Sequence, residues 1–537
     1  MRSFVMMTSL DWAVVALYLA GLLALAVRLA PEQTSREAYY LAGRRSSPLA
    51  LALSTMATQC SSASLLGAPA FVAFSLGGGL LWLQYELAVP LAMAFLLLTL
   101  YPVLRRHGAI SVYSFLEARL GVRTRVLASL LFQFFRAAGA AVTVYGMALV
   151  LMVCLNLPFG AAVALLAVMT LVYDLLGGMR AVVLSDVVQL LVLAATLIIA
   201  LAFALDLLGG PANLLARVPS ERLQSLDLQH TGLGDGVDYA FWPMLIGGFF
   251  LYVSYYGCDQ SQSQRLLASE SVAAGQRILF YNGLLRFPLV LLYCVFGLCL
   301  AAYADFDPTF LDRLPKTDAG SPNINLAVLQ FVFDQFPPGL VGLVVVALLA
   351  AAMSSLDSVL NALSAASSED LLERWPRRAK EPARRFSPIQ TAKLLTLGWG
   401  VIIAVLAFYV GEIADSVLVA INKIGSLLNG PLLALFLLAA FLPRVGEGAA
   451  LIGLLGGILL NGLLWLGAPG VSWLWWNVFG CLGTLALALA LARTPPRLAG
   501  ASAETDPPAF AGGRPLALIL TGYSLGIGLL CALGSTL

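Results

Sequence analysis

The chain has 537 residues, of which 60% are hydrophobic and only 11% are charged. Soluble globular domains carry about 25% charged residues, so this composition indicates a protein dissolved in lipid. The net charge of +2 is too small to favour a nucleic-acid partner. The two histidines, His107 and His230, lie in predicted loops without nucleophile–base or metal-ligand spacing, which argues against a membrane enzyme.

Apolar runs of about 20 residues predict an all-α integral membrane protein with about fourteen transmembrane helices. We place these spans near 10–29, 47–75, 80–104, 124–155, 160–176, 182–208, 238–258, 275–304, 338–370, 389–410, 414–443, 448–467, 472–492 and 515–535. The loops after the odd-numbered spans hold most Lys and Arg residues, including Arg265, and the positive-inside rule therefore assigns these loops to the cytoplasm. We expect a multi-pass protein of the cytoplasmic (inner) cell membrane.

Two of the predicted spans are interrupted. In the second span a polar stretch is followed by Gly67 and Pro69, and in the seventh span Gly247 and Gly248 precede a Tyr-rich segment that contains another glycine. Two broken spans five helices apart are what an inverted repeat of five helices would produce, and transporters bind substrate and ions at such breaks. The alternative is two kinked structural helices, because Gly and Pro are common in membrane helices.

A polar stripe lies within the otherwise apolar segment 347–370. Ser354, Asp357, Ser358 and Asn361 have the spacing i, i+3, i+4, i+7, which places them on one face of a helix. Four oxygen-bearing side chains in a membrane span favour a site for a hard monovalent cation. The alternative is a helix that packs through small residues and hydrogen bonds to its neighbours.

Three basic residues lie deep within predicted spans, namely Arg136, Arg286 and Lys423. A buried cation needs a carboxylate of the protein or an anionic substrate as its partner. The acids in the predicted spans are Glu86, Asp186 and Asp357, and Asp259 lies near a helix end.

Four motifs resemble the sodium/solute symporter family. They read GGMRAVVLSDVVQ at 177–189, YYGCDQSQSQRLLA at 255–268, AAMSSLDSVLNALSA at 351–365 and INKIGSLLNGPLLALF at 421–436. The resemblance implies a LeuT-type fold with 5+5 inverted repeats at 47–208 and 238–445, and peripheral segments at 1–46 and 446–537. It also implies import of a solute driven by sodium. We expect sodium and the solute as partners, and a monomer in the bilayer.

The resemblance also implies how sodium is bound. The first site would use the carbonyl oxygens of Ala57, Cys60 and Ala351 and the hydroxyls of Ser354 and Ser355. A second site found in some members would use Asp186 and Ser358. Asp357 stands where those members have Ser or Thr, which leaves a stronger sodium site, a proton-linked site and a structural ion pair as alternatives.

The solute pocket implied by the resemblance comprises polar and aromatic residues of five spans: Gln59, Ser61, Ser64, Gln84, Arg136, Tyr252, Tyr255 and Asn422. Sialic-acid transporters of the family hold the sugar acid with a Gln and an Arg close to the positions of Gln84 and Arg136. Because a guanidinium can bind a carboxylate in bidentate geometry, we expect a small organic anion as the solute. The alternatives are a neutral sugar, polyol or amino acid, with Arg136 in a structural ion pair with Glu86 or Asp186.

Overall fold

The protein is described by a computed structural model that covers residues 7–60, 62–155, 157–316, 320–373, 386–410, 417–492 and 510–534. Within these residues the chain is almost entirely helical, as predicted, and its β-type pairing consists of two isolated bridges, Leu233 with Val471 and Lys316 with Pro322.

The described residues of the first half of the chain form twelve α-helices: α1 (Ser9–Leu29), α2 (Arg36–Leu41), α3 (Pro48–Gln59), α4 (Ser62–Phe74), α5 (Leu83–Glu86), α6 (Ala88–Leu98), α7 (Leu100–His107), α8 (Tyr113–Arg119), α9 (Val122–Leu155), α10 (Phe159–Leu207), α11 (Pro211–Arg217) and α12 (Ser220–Leu223). The second half forms α13 (Gly248–Gly257), α14 (Gln260–Leu267), α15 (Val272–Phe306), α16 (Ala327–Gln335), α17 (Leu340–Ala366), α18 (Pro388–Ala407), α19 (Val417–Phe441), α20 (Glu447–Gly467), α21 (Trp475–Ala490) and α22 (Phe510–Gly534). Short π-helices precede α13, at Pro243–Gly247, and follow α17, at Ser367–Leu372.

Ten helical segments of the described chain are long and apolar enough to cross a bilayer, and the bent pair α3 and α4 forms an eleventh. The predicted spans 160–176 and 182–208 are the two arms of α10, whose 49 residues contain a non-helical residue at Gly178. At 1.5 Å per residue α10 is about 74 Å long, more than twice the ~30 Å of a hydrocarbon core. This helix is therefore long enough to hold two passes.

The kink in α10 depends on a glycine. Gly178 has φ of 55°, in the left-handed region, and a Cβ there would lie 2.5 Å from Gln33 Oε1. The side chain of Gln33 in turn donates from Nε2 to the carbonyl of Gly177 at 2.6 Å. The segment before α2 therefore fills the kink and satisfies a carbonyl that the helix leaves open.

Both predicted interruptions are present, but their positions differ from the prediction. In the second span the break falls at Cys60, where ψ is 73°, and α4 continues through Pro69 with a bend of 57° relative to α3. In the seventh span it falls at Cys258 and Asp259, beyond the two glycines. Asp259 has extended backbone and its carboxylate accepts from the amide of Ser261 at 2.7 Å, so it caps a further helix, α14, that the sequence pattern had assigned to a loop.

Helix α17, which carries the polar stripe, is the centre of the bundle. From Val344 to Ala366 every residue is buried, and the helix packs against α1, α3, α9, α10, α14 and α18. Its N-terminus is capped by α1, because the carboxylate of Asp11 accepts from the amides of Gly339 and Gly342, each at 2.7 Å. In contrast, only 22–28% of the residues in an 18-residue apolar stretch of each of α1, α18, α20 and α22 are buried, which leaves broad apolar faces for lipid.

Candidate functional site

The break after α3 meets the serine pair of α17. Ser354 Oγ donates to the carbonyl of Ala57 at 2.9 Å and lies 3.5 Å from the carbonyl of Ala351. Ser355 Oγ donates to the carbonyl of Thr58 at 3.0 Å. Hydroxyl and carbonyl oxygens from two helices thus converge at the point where α3 ends.

This arrangement can bind a small hard cation. Helices leave their last carbonyls without intrahelical partners, and those of α3 face neutral hydroxyls, so the site offers oxygens with little fixed charge. Of the five residues predicted for the first sodium site, Ser354 contacts the carbonyls of both Ala57 and Ala351, and Ser355 lies one residue along α17. Cys60 is the non-helical residue at the break itself. Their role as sodium ligands remains a prediction.

Asp186 of α10, predicted for the second sodium site, has a guanidinium as its partner. Arg265 Nη2 donates to Asp186 Oδ2 at 2.9 Å, and Ser54 Oγ donates to the same oxygen at 2.5 Å. Arg265 Nη2 also donates to Ser358 Oγ, the other predicted ligand. The assignment of Arg265 to a cytoplasmic loop was therefore wrong: α14 places this side chain in the interior with 1% exposure.

The additional acid of the stripe, Asp357, is fully buried beside this pair. Its Oδ1 lies 3.1 Å from Ser358 Oγ, whereas its Oδ2 has no hydrogen-bond partner among the described residues. Asn361, one turn further, accepts at Oδ1 from Gln264 Nε2 at 2.7 Å, which binds the stripe to α14. Asp357 thus adjoins the Asp186–Arg265 pair without itself being fully satisfied.

A cavity of about 170 Å³ lies beside the break of α3. Five of the eight predicted solute residues line it, namely Gln59, Ser64, Arg136, Tyr252 and Tyr255. The described lining also includes Trp82, Tyr85, Glu86, Asp259, Arg286 and Tyr293, and from α19 Ile424, Gly425, Leu428, Asn429 and Leu432. It therefore combines aromatic walls with four charged side chains, which suits a polar solute of small size.

Three predicted solute residues lie elsewhere or are not described. Gln84 is fully buried outside the cavity: its Nε2 donates to the carbonyl of Tyr239 at 2.6 Å and its Oε1 accepts from the amide of Asp227 at 3.1 Å. It thus holds the segment before α13 instead of facing a solute. Ser61 lies outside the described residues, as does the side chain of Asn422, whose backbone belongs to α19.

Arg136 of α9 faces the cavity with a weak ionic partner. Its Nε lies 3.6 Å from Asp259 Oδ2, beyond hydrogen-bond distance, and makes no hydrogen bond with described residues. Its Nη2 donates to the hydroxyl of Tyr255 at 3.2 Å, and its guanidinium lies 5.2 Å from the centre of the Tyr255 ring. The alternative that pairs Arg136 with Glu86 or Asp186 is wrong, because those acids bind Arg286 and Arg265 instead.

Glu86 and Arg286 form a second ion pair in the cavity wall, which the predicted solute set omitted. Arg286 Nε lies 3.1 Å from Glu86 Oε2, and Tyr252 donates to Glu86 Oε1 at 3.3 Å. Arg286 Nη1 also lies 3.5 Å from Cys60 Sγ, so this pair connects the cavity to the break of α3. Both charges had been recognised as buried ions in need of partners, and only their proximity to each other and to the cavity was not evident.

Comparison with known proteins identifies the type of protein that carries this arrangement. Residues 39–457 match the sequence profile of the sodium:solute symporter family. The sodium/sialic acid symporter SiaT of Proteus mirabilis is 27% identical over 503 residues, covering 92% of this chain and 96% of its own length. The sodium/sialic acid symporter NanT of Aliivibrio fischeri is 28% identical over 483 residues, covering 88% of this chain and 91% of its own length.

A solved structure has the same fold. A Na⁺-coupled sialic acid symporter in a substrate-bound outward-open state superposes with a TM-score of 0.79, covering 91% of this chain and all of that chain, at 24% sequence identity. This likeness supports a helical transporter fold for the described bundle.

Proposed function

Because this chain belongs to the sodium:solute symporter family, we propose that it imports a carboxylate-bearing solute, such as a sialic acid or another small organic anion, through the cytoplasmic membrane. Symport driven by sodium follows from the family; the class of solute is the new element.

The proposed solute class is supported by the incomplete ionic pairing of Arg136. An arginine cannot lose its charge to escape a buried position, and Asp259, at 3.6 Å, satisfies it only in part. A solute carboxylate that enters the cavity can bind this guanidinium, whose Nε has no hydrogen-bond partner among the described residues. Two relatives are named sodium/sialic acid symporters, and sialic acid has such a carboxylate.

For the coupling ion we propose the oxygens at the break of α3. Sodium would be bound by the carbonyls of Ala57, Cys60 and Ala351 and the hydroxyls of Ser354 and Ser355. The hydrogen bonds that now join Ser354 to Ala57 and to Ala351 support this, since an ion placed there would replace them with ionic contacts.

For the architecture we propose fourteen membrane passes, with five-helix inverted repeats at 47–208 and 238–445 and peripheral segments at 1–46 and 446–537. The two breaks, at Cys60 and at Cys258–Asp259, lie in corresponding positions of such repeats. The large lipid-facing surfaces of the peripheral helices are compatible with a monomer in the inner membrane.

A neutral sugar, polyol or amino acid is the second candidate. It is favoured by the fact that both guanidiniums of the described cavity wall already have a carboxylate partner, Asp259 or Glu86. A neutral solute would leave both pairs intact and hydrogen-bond to their outer atoms.

Uptake into proteoliposomes separates these candidates. The purified full chain is supplied with labelled sialic acids, monocarboxylates, neutral sugars, polyols and amino acids, with an inward sodium gradient or with potassium in its place. We expect sodium-dependent uptake of a carboxylate, and competition by other carboxylates but not by the corresponding amides or alcohols. Uptake of a neutral solute that carboxylates do not inhibit would overturn the proposal.

A further inference from the structure

We propose that residues 36–44, which we call the cytoplasmic latch, hold the cytoplasmic exit of this symporter closed and must release before its ligands can leave on that side. The latch comprises α2 and the turn that follows it, and the positive-inside rule assigns it to the cytoplasm. The inference rests on the proposed function in one respect, namely that the ligands are sodium at the break of α3 and the solute in the adjoining cavity.

The region between the break of α3 and the cytoplasm is filled by packed helices. Every residue of α14 is buried, and so is every residue of α17 from Val344 to Ala366. The two helices are in contact, and Gln264 Nε2 of α14 donates to Asn361 Oδ1 of α17 at 2.7 Å. An exit between these helices therefore requires α14 to separate from α17.

The latch is bonded to both sides of this contact through Tyr40. The carbonyl of Tyr40 accepts from Gln264 Nε2 of α14 at 2.6 Å, and its hydroxyl lies 3.0 Å from Ser364 Oγ of α17. Because the Ser364 hydroxyl donates to the carbonyl of Ala392, the Tyr40 hydroxyl is the donor in this pair. Tyr40 is fully buried, so a single residue of the latch joins the two helices from within.

Two further side chains of α2 bind the same end of the bundle. The hydroxyl of Tyr39, which is also fully buried, lies 3.3 Å from Thr396 Oγ1 of α18. Arg36 Nη1 lies 3.1 Å from Glu369 Oε1 and 3.0 Å from Glu373 Oε1, both in the chain that follows α17. The latch thus connects α14 to α18 and to the cytoplasmic end of α17.

The turn after α2 is held by Arg44. Its Nη1 donates at 3.2 Å to the carbonyl of Leu267, the last residue of α14, and its Nη2 donates at 2.7 Å to the carbonyl of Gly108, after α7. Ala42 and Arg44, with φ of 52° and 56°, are the only non-glycine residues with positive φ in the described chain. Strained backbone of this kind persists only where the surrounding contacts determine it, so the turn depends on the bonds of Arg44.

The outer bonds of the latch lie close enough to water to be reversible. The side chains of Arg36 and Arg44 are 31% and 18% exposed. Hydrogen bonds and ion pairs at such positions contribute little net free energy, because water replaces them when they open. Release of the two arginines therefore costs little, and it leaves Tyr39 and Tyr40 as the remaining contacts to be withdrawn.

Access of water to Cys60 tests the inference, because this thiol is fully buried at the break of α3. Sealed inside-out membrane vesicles that contain the full chain are treated with a membrane-impermeant maleimide, without sodium or solute, and modification of Cys60 is followed by peptide mass spectrometry. We expect Arg44→Ala to react about tenfold faster than the parent chain, since it loses the bonds to both carbonyls. The variant should react no faster in right-side-out vesicles. A parental rate in inside-out vesicles, or the same acceleration in both orientations, would overturn the inference.

Tyr40→Phe provides a second variant that keeps the packing of the ring. It removes only the hydroxyl bound to Ser364, and we expect Cys60 to react about threefold faster from the cytoplasmic side. Tyr523→Phe is the matched control, because it removes a tyrosine hydroxyl that donates to the carbonyl of Leu284 at 3.0 Å on the peripheral helix α22. If Arg44→Ala does not fold, a parental rate in Tyr40→Phe overturns the inference.

Two further comparisons separate the latch from its surroundings and from the sodium site. Arg45→Ala alters an exposed arginine directly after the latch and should leave the reaction of Cys60 at the parental rate; an acceleration equal to that of Arg44→Ala would count against the latch. Sodium should slow the reaction in the parent chain. Absence of this protection, together with acceleration in Arg44→Ala, would contradict the proposed sodium site and not the latch, so the two failures are distinguishable.

Discussion

At the scale of single residues, the serine hydroxyls of α17 are the most direct test of the sodium site. Ser355→Ala deletes one oxygen from a buried helix in which alanine fits well, so the fold should persist. Losing one ion–dipole contact of about 1 kcal/mol should weaken sodium affinity about fivefold, as measured by the sodium dependence of uptake.

Ser364→Ala is the matched control for this change. Ser364 is a fully buried serine of the same helix, and its hydroxyl donates to the carbonyl of Ala392 at 2.8 Å, away from the break of α3. It should lower stability by a similar amount without changing sodium affinity. Equal sodium affinity in Ser355→Ala and the parent chain would exclude Ser355 from the ligand set.

Substitutions of Arg136 and of its neighbour Asp259 test the proposed class of solute, again at the scale of single residues. Arg136→Lys keeps the charge but loses the planar fork, so solute affinity should fall by about 1.5–3 kcal/mol, or roughly ten- to a hundredfold. Asp259→Asn should act in the opposite direction and tighten binding, because the solute's carboxylate then has no competitor at 3.6 Å. Asparagine can still cap α14 in the place of Asp259.

Solute affinity measured in Arg136→Gln, in Asp259→Asn and in the double variant Arg136→Gln with Asp259→Asn separates direct binding of a carboxylate from a purely structural ion pair. If Arg136 only balances Asp259, neutralising both members should restore uptake that Arg136→Gln abolished. Restored uptake with normal solute affinity would contradict direct binding of a carboxylate and favour a neutral solute.

At the scale of helices, the kink of α10 depends on Gly178. Alanine there would have to adopt φ of 55° with ψ of −166°, a conformation almost confined to glycine that costs about 1–3 kcal/mol, and its Cβ would meet Gln33 Oε1 at 2.5 Å. We expect Gly178→Ala to lower the midpoint of thermal unfolding and the yield of folded protein. Gly398→Ala on the lipid-facing helix α18, where a Cβ meets nothing within 4 Å, should be neutral or stabilising.

The loop after α15 contains an ion pair whose contribution to stability should depend on pH. Hydrogen bonding from Arg313 lowers the pKa of Asp307 to about 2. Because the pKa is lower in the folded state than the ordinary value of about 3.9, the pair stabilises fully above that value and its contribution is lost as the pH falls towards 2. The unfolding midpoints of the parent and Asp307→Asn should therefore differ above pH 4 and converge at lower pH; a difference that persists at pH 2 would contradict this ion pair.

At the scale of the whole molecule, the sequence predicts the helical class, the two broken spans and the central role of α17, because hydropathy and 3.6-residue periodicity depend on local composition. The exact breaks were not predictable in the same way. Pro69 is tolerated within α4, while the non-helical residue is Cys60, whose thiol lies beside Arg286 of α15 in the folded bundle.

The partners in the buried ion pairs could also not be predicted from the sequence. Arg265 follows a polar stretch, QSQSQ, that is typical of a loop, and only the cap by Asp259 and the facing Asp186 make it a buried helix. Partners such as Glu86 and Arg286 are 200 residues apart, so their contact is a property of the tertiary fold. Five cavity residues could be predicted from the sequence because the family resemblance extends over the motifs that surround them, namely Gln59, Ser64, Arg136, Tyr252 and Tyr255.

Coupling between sodium and solute should be visible in the stability of the entire bundle. Any ion that binds the folded state alone stabilises it, by about 2.7 kcal/mol at a concentration one hundred times its Kd. The midpoint of thermal unfolding of the purified chain should therefore rise by a few degrees with sodium and remain unchanged with the same concentration of potassium.

The solute should add to this effect only when sodium is present. Linkage requires that sodium raises solute affinity by the same factor by which the solute raises sodium affinity. The structure gives a route for this coupling, since Arg286 contacts both Glu86 in the cavity wall and Cys60 at the break of α3. We therefore expect the transported carboxylate to shift the midpoint in sodium but not in potassium, and Ser355→Ala to move both effects to higher sodium. Equal stabilisation by the solute in either salt would show that the cavity and the ion site act independently.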